Sequence, residues 1–299
     1  MRQLLRLPRI LHGTLLRAAR HDCLNLAQST AYSAMVSLFP ALIVAAAIVS
    51  LLPDTAPLRF QLSTFFDRIL PPDVSPLLEG YFVDAPHSPR SSHALIAAFV
   101  VSLIGASSVL ATLMEGVRRA NELPLDCWTF WQRRLRAFLL VPLSLLPFFL
   151  ATNLVVFGQF FTSWISVHLI PSARTPFYTL ALLIRWSVAL TASVVIVALI
   201  YHLGAPMRQS WKRVVPGAIV STAMWFPSTL IFGWYVTRFA NYSQVYGSLG
   251  AGIALLFWLY IISLSVLCGA EFNTEFHARF HHPGTTHSTP STPNSLPPV

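Results

Sequence analysis

Charge is the scarcest property of this chain. Only 10% of its 299 residues are Asp, Glu, Lys or Arg, whereas an average soluble domain contains about 25%. Hydrophobic residues make up 55% of the chain, and the mean hydropathy is +0.61. A soluble protein of this length would need far more charge to cover its surface, so the composition predicts that lipid surrounds much of the chain.

Cysteine is also scarce, and the recognisable catalytic motifs are missing. The three cysteines, Cys23, Cys127 and Cys268, are far apart and form no CxxC pair, which argues against a disulfide framework and against a structural zinc site. The ten histidines are scattered, and no hydrolase, metalloprotease or nucleotide-binding motif is present. We therefore expect reduced thiols, no catalytic residue set, no metal and no cofactor.

The first 30 residues are basic and amphipathic. The apolar residues that recur at helical spacing are Leu4, Leu7, Leu11, Leu15 and Ala18. The arginines that share the opposite face are Arg2, Arg6, Arg9, Arg17 and Arg20. Because these arginines interrupt every apolar run, no cleavable signal peptide is expected. The pattern predicts a helix that lies in the headgroup layer and binds anionic lipid through its Arg face. An arm that binds nucleic acid is the competing interpretation.

Six segments are long and apolar enough to cross about 30 Å of hydrocarbon. The predicted spans are 31–52, 93–113, 137–157, 177–199, 215–237 and 247–268. They define an all-α membrane domain over residues 31–272, preceded by the interfacial segment 1–30. The tail, 273–299, is rich in Ser, Thr and Pro and is expected to be disordered after about residue 282.

The distribution of basic residues between the connections predicts the orientation. Fourteen of the 20 Lys and Arg residues fall on the side that carries both termini, and five fall on the other side. The basic side of a membrane protein faces the cytoplasm. We therefore predict a bacterial inner-membrane protein with both termini inside, and we attribute the net charge of +9 to this bias rather than to nucleic-acid binding.

The longest predicted connection, 53–92, lies on the exterior side between the first two spans. It carries an apolar helical stripe that includes Leu58, Leu62 and Phe65, followed by Pro71 and Pro72. The stripe predicts a short helix over the outer mouth of the bundle. That helix could act as a lid or form part of a plain packed loop.

The first predicted span begins with a polar stripe. Ser29, Ser33 and Ser37 recur at every fourth position, with Tyr32 alongside. A polar side chain within a span must find a partner in the bundle or a wet cavity. The stripe therefore indicates either contacts between helices or the lining of a cavity.

Arg185 is the only charged residue in the predicted spans. It lies about two turns from the exterior end of the fourth span, so its guanidinium could extend to the interface. The alternative is that Arg185 faces inward and binds an anionic headgroup or phosphate, which the guanidinium fork suits. The sequence provides no intramembrane carboxylate to neutralise it.

The second half of the chain contains motifs that resemble a known family. They are Pro216-Gly217-Ala218, the run from Val245 to Ala251 with Tyr246, Gly247 and Gly250, and Gly269-Ala270-Glu271-Phe272-Asn273. Together they resemble the YihY/BrkB family of bacterial inner-membrane proteins, over roughly residues 25–280. The resemblance implies a six-helix membrane protein, a link to serum resistance and an older label of ribonuclease BN. We expect the motif residues to be structural.

Glu271 is the acidic residue of the last motif, and it lies near the predicted cytoplasmic end of the sixth span. We expect its carboxylate to cap or pair with a cytoplasmic basic loop, at Arg118 or Arg119.

Three classes of function remain open on the sequence. Transport or translocation of a small or lipidic anionic solute is our preferred prediction, and it requires water-accessible polar residues in mid-bilayer. A non-catalytic factor for envelope structure, assembly or serum resistance is the alternative, and it predicts a dry, tightly packed bundle. A membrane enzyme is a remote third, because the sequence shows neither a metal-ligand cluster nor an RNA-binding domain to support a ribonuclease.

Overall fold

The computed structural model describes residues 7–50, 92–168, 171–206, 209–238 and 242–281, and all regular structure within them is helical. The predicted exterior connection, up to residue 91, and the tail after residue 281 lie outside the described residues. The helices are α1 (Leu7–Arg20), α2 (Cys23–Ser50), α3 (Ser92–Ala120), α4 (Phe130–His168), α5 (Pro171–Gly204), α6 (Trp211–Arg238) and α7 (Tyr242–His281). A short 3-10 turn, Leu125–Cys127, connects α3 to α4.

Each predicted span falls on one of the six long helices, and the helices are longer than the spans. Helix α7 has 40 residues, which corresponds to about 60 Å, twice the thickness of the hydrocarbon. Helix α2 begins at Cys23, so the predicted interfacial segment 1–30 contains both α1 and the first turns of α2. Hydropathy marks the apolar part of a helix, which explains why each helix extends beyond the span predicted within it.

Five helices of the described chain are long and apolar enough to cross a membrane. The qualifying stretches are Cys23–Ala45, Leu95–Ala120, Phe177–Gly204, Trp211–Val236 and Gly252–Ala278. The predicted third span, 137–157, lies inside α4 but is not one of these stretches. Six crossings and the orientation of the bundle therefore stay predictions.

The six long helices pack as a ring in chain order. Each helix from α2 to α6 contacts the next one, and α7 closes the ring against α2. Helix α3 also contacts α5 and α7 across the ring, and α1 packs against α7 and α2. The contact between α2 and α3 is close, because an added Cβ at Gly105 would lie 2.3 Å from the Cβ of Ser37.

The buried side chains are concentrated at one end of the ring, which we call the base. At the base α2, α4 and α6 begin, α3, α5 and α7 end, and α1 is packed. Every buried side chain in the described part of the chain lies between the base and the level of Ser37, near the middle of α2. Beyond that level the described side chains are partly or fully exposed.

Candidate functional site at the base of the bundle

Glu271 is a carboxylate buried among the helices of the base, with a side-chain exposure of 0%. Its Oε2 accepts from Arg17 Nε at 3.3 Å, and its Oε1 lies 2.7 Å from His21 Nδ1. An ionised carboxylate only accepts hydrogen bonds, so this contact is a hydrogen bond when the imidazole of His21 carries a proton on Nδ1. Cys23 Sγ lies 3.8 Å from the same Oε1. These partners compensate for the loss of water around a buried charge.

Arg17 connects three helices through one guanidinium. Besides Glu271 on α7, it donates to the carbonyl oxygen of Ala120 at 2.9 Å and pairs with Glu122 at 3.0 Å. Ala120 is the last residue of α3, and the carbonyls at a helix end have no intrahelical partner. Arg17 therefore supplies the capping donor for α3 and holds α1 against α7 at the same time.

The turn after α3 places Glu122 within reach of Arg17. The amide of Leu123 donates to Arg118 O at 3.2 Å, and the amide of Glu122 donates to Arg119 O at 2.9 Å. This is the Schellman pattern, in which the residue after the cap takes left-handed backbone angles. Glycine usually occupies that position, but here Glu122 adopts it, with φ of 53°. Its carboxylate pairs with Arg17.

The predicted partner of Glu271 is wrong. Glu271 does not pair with Arg118 or Arg119, because both arginines contact Glu115 of their own helix, at 2.7 and 3.1 Å. Residues three and four positions apart on a helix are neighbours, so Glu115 is the nearer partner.

The predicted face of α1 is also wrong for Arg17. Arg17 lies on the protein-facing side with Ile10, Thr14 and Ala18, whereas Leu11 and Leu15 are exposed. Helical spacing shows which residues share a face of α1, but it does not show whether lipid or protein covers that face. The spacing of Ile10, Thr14, Arg17, Ala18 and His21 along one side of the helix was the available signal for the face that packs on the protein.

The motif residues of α6 and α7 meet next to Glu271. Asn273 Oδ1 accepts from the amide of Gly217 at 2.6 Å, and Asn273 Nδ2 donates to Val214 O at 3.1 Å. Pro216 precedes this amide and has no N–H of its own to donate. A Cβ at Gly217 would lie 2.3 Å from Gly269 O. The Asn273 side chain therefore links two helices whose backbones touch through glycines.

The other motif residues lie farther along α7. Tyr246 and Gly247 are on the helix, but their surroundings lie outside the described residues, and Gly250 is half-buried. Tyr201 of α5 also contacts α7, through a hydrogen bond from its hydroxyl to Val266 O.

Arg185 lies near the middle of α5, which runs from Pro171 to Gly204 and ends at the base. The residue is partly exposed, yet its Nε is buried and has no hydrogen-bond partner among the described residues. The next residue, Trp186, packs edge-on against Phe226 of α6, with ring centroids 5.5 Å apart. This contact fixes the side of α5 from which Arg185 projects.

The side chains of the polar stripe of α2 differ in burial and in the groups that surround them. Ser37 is buried against α3, and its hydroxyl donates to Ala34 O of its own helix at 2.9 Å. Ser33 is half-buried, and Tyr32 is 67% exposed. Within the described residues α2 and α5 are not an extensively packed pair. The structure therefore does not bring Arg185 together with Ser33 and Ser37.

Metal ligation has no candidate in the part of the chain that the structure describes, since no three His, Cys, Asp or Glu side chains there converge on a common point. The contacts described at the base are ion pairs and hydrogen bonds between helices.

Comparison with known proteins places this chain among bacterial membrane proteins. The sequence model of the family described as "Virulence factor BrkB" matches residues 14–293. The ribonuclease-like protein YfkH of Bacillus subtilis (strain 168) is 25% identical over 263 residues, covering 88% of this chain and 93% of that protein. A UPF0761 membrane protein of Alteromonas mediterranea is 25% identical over 292 residues, covering 95% and 94%. No solved structure matches the chain.

Proposed function

The chain belongs to the BrkB family of bacterial membrane proteins, and we propose that it moves a small or lipidic anionic solute across the inner membrane. The observation that carries this proposal is the uneven burial along the bundle. Described side chains are buried only from the base to the level of Ser37. A bundle that is closed at one end suits a transporter in one of its two open states.

The contacts that close the base also favour a moving part. Arg17 and Glu271 join α1 to α7 through charged groups, which water can solvate when the helices separate. Apolar side chains between the helices would gain no such partner from water when the helices separate. We infer that the Arg17–Glu271–His21 cluster is a gate that opens in the other state of the cycle.

We place the base on the cytoplasmic side. The two clusters of basic residues at the base, around Arg119 and Lys212, support this orientation through the positive-inside rule. The exposed Leu11 and Leu15 of α1 would then lie in the inner leaflet, and the N-terminal arginines would face anionic headgroups.

Arg185 is our candidate contact for the solute. Its Nε is buried without a hydrogen-bond partner among the described residues, and a buried donor of this kind is costly unless something accepts from it. A phosphate or carboxylate would satisfy the guanidinium with two parallel hydrogen bonds.

Substitution of Arg185 tests the proposal. Arg185→Lys should lose most of the activity and Arg185→Gln should lose all of it, because neither side chain can form the bidentate pair. The measurement is complementation of a deletion strain, with the membrane abundance of each variant determined in parallel. Arg238→Gln removes an exposed arginine from the end of α6 and is the matched control. Full activity of Arg185→Gln at normal abundance would contradict the assignment.

A factor for envelope assembly or serum resistance is the second candidate. The description of the matching family as a virulence factor favours it. Such a protein needs a rigid, dry bundle rather than a solute path. Water access to the half of the bundle away from the base therefore distinguishes the two candidates.

We do not extend the ribonuclease-like name of the Bacillus relative to this chain. Glu271 and Glu115 are carboxylates of the base that are engaged in ion pairs, Glu271 with Arg17 and Glu115 with Arg118 and Arg119. Neither is free to act as an acid or base on RNA. RNA cleavage by the purified protein that disappears in Glu115→Gln or Glu271→Gln would reverse this conclusion.

A further inference from the structure

We propose that the turn between α3 and α4 forms a second anion site, a pocket at the base that binds the phosphate of an anionic phospholipid headgroup. The pocket has a volume of about 200 Å³ and is lined by Glu115, Arg118, Leu125, Cys127, Trp128, Phe130 and Arg133. It is separate from Arg185, and it would bind phosphate whether or not the chain transports a solute.

The charge around the pocket is unbalanced. Three guanidiniums surround one carboxylate: Glu115 accepts from Arg118 at 2.7 Å and from Arg119 at 3.1 Å, and Arg133 lies 3.8 Å away. Asp22 lies 4.0 Å from Arg119 and neutralises part of that charge. Among the residues that line the pocket, Arg118 and Arg133 still outnumber Glu115, and Asp126 is exposed and does not line the pocket.

Arg133 is the arginine available for a ligand. Arg118 uses Nε and Nη2 on Glu115 and Nη1 on Leu123 O, so its donors are engaged. Among the residues that the structure describes, the Arg133 guanidinium makes the long 3.8 Å contact to Glu115 and no hydrogen bond, and its side chain is 39% exposed. A phosphate that enters the pocket would therefore meet Arg133 as a free donor and Arg118 as a fixed positive charge.

The walls of the pocket are held in place by the turn. Leu125–Cys127 forms the 3-10 turn, and the Arg136 guanidinium lies 5.1 Å from the ring centroid of Trp128. A cation over an indole face stabilises the position of the ring. The volume of about 200 Å³ is enough to hold a phosphate group.

A lipid is the source of phosphate that the surroundings favour. Phe130, Trp131, Leu135 and Leu139, at the start of α4, are all exposed next to the pocket. Aromatic residues of this kind lie at the interface between headgroups and hydrocarbon. Acyl chains along Leu135 and Leu139 would bring their headgroup to Arg133. Free phosphate or a soluble phosphomonoester would have the same contact chemistry.

Cys127 provides a native reporter for the pocket. It is the partly exposed cysteine, whereas Cys23 and Cys268 are buried. The experiment measures the rate at which N-ethylmaleimide alkylates Cys127 in full-length protein, by peptide mass spectrometry. The protein is placed in nanodiscs of phosphatidylcholine alone, of phosphatidylcholine with phosphatidylglycerol, or of phosphatidylcholine with added inorganic phosphate.

We expect phosphatidylglycerol to slow alkylation several-fold, and we expect Arg133→Gln to abolish the protection. Loss of one charge-assisted hydrogen bond weakens binding about tenfold or more. Arg213→Gln, an exposed arginine of α6 at the same end, should keep the protection and controls for surface charge. The melting temperature of each variant confirms that it is folded.

The outcomes separate the sources of phosphate. Protection by phosphatidylglycerol alone supports the lipid site, and equal protection by inorganic phosphate identifies a phosphate site for soluble anions and overturns the lipid assignment. Equal alkylation rates in all three preparations would overturn the pocket altogether. Protection that survives Arg133→Gln would also overturn it, because the effect would then come from the charge of the membrane surface.

Discussion

Glu271 and Arg17 show why a charged pair is present inside an otherwise apolar base. A buried pair is not more stabilising than well-packed apolar residues of the same size, but removal of one partner leaves a costly unpaired charge. Glu271 has partners only in the segment from Arg17 to Cys23 among its described contacts. We infer that the pair specifies where α1 binds, and that it can separate when the base opens.

A double-mutant cycle tests the coupling between these two residues. Glu271→Leu should destabilise the folded protein by about 3 kcal/mol, because it leaves the Arg17 guanidinium without the carboxylate that pairs with it. Arg17→Met combined with Glu271→Leu should be less destabilised than the sum of the two single variants, by about 1 kcal/mol or more. Unfolding in detergent, followed by circular dichroism, is the measurement. Strict additivity would show that the two groups do not interact, and Asp126→Asn, an exposed loop acid, is the control.

The partner of Glu271 shows the limit of prediction at the level of single residues. The motif identified Glu271 and Asn273 as important, but Arg17 lies 254 positions from Glu271, and no local rule connects them. The local rule that was available, the spacing of Glu115 from Arg118 and Arg119, assigns those arginines to Glu115. With those arginines assigned to Glu115, the partner of Glu271 must lie in another part of the chain.

Helices α6 and α7 show how the motifs act at the scale of elements. Gly217 and Gly269 allow the two backbones to touch, and Asn273 bonds to the backbone of α6 on either side of Pro216. Small residues at such a crossing are the usual means of close packing between membrane helices. The existence and type of both helices could be predicted from hydropathy. Their crossing could not, because it depends on which faces meet.

A pair of glycine substitutions tests this crossing. Gly217→Ala should destabilise the protein by about 1–3 kcal/mol, because the new Cβ overlaps Gly269 O and the α6–α7 contact must shift. Gly233→Ala, on the same helix, is the matched control, since its Cβ meets nothing within 4 Å. The control should be neutral or slightly stabilising, by less than about 1 kcal/mol. Equal thermal stability of the two variants would mean that the glycine contact contributes nothing.

The whole molecule is a ring of six helices with a closed base. The ring follows chain order, which suits a bundle whose helices are joined by short connections at the base. Sequence alone predicted the six helical segments, since each contains a long apolar run. It could not predict that the buried side chains of the described residues reach only to the level of Ser37, because an apolar side chain has the same hydropathy against lipid, protein or a cavity.

The orientation of the ring is tested by reporter fusions. Fusions after residues 125, 208 and 280 should report the cytoplasm, and fusions after residues 85 and 172 should report the exterior, because basic connections are retained inside. A paired reporter, active on one side only, distinguishes the compartments. A C-terminal fusion that reports the exterior would contradict either the count of six crossings or the placement of the base on the cytoplasmic side.

Hydrogen–deuterium exchange in lipid nanodiscs tests the central claim most directly. If the bundle is closed at the base and admits water from the other side, amides in 107–120 and 263–273 should stay protected. Those in 95–106 and 252–262, on the same helices, should exchange measurably faster, because water lines one face of them. Equal, strong protection along both helices would show a dry bundle and would contradict transport in favour of a scaffold.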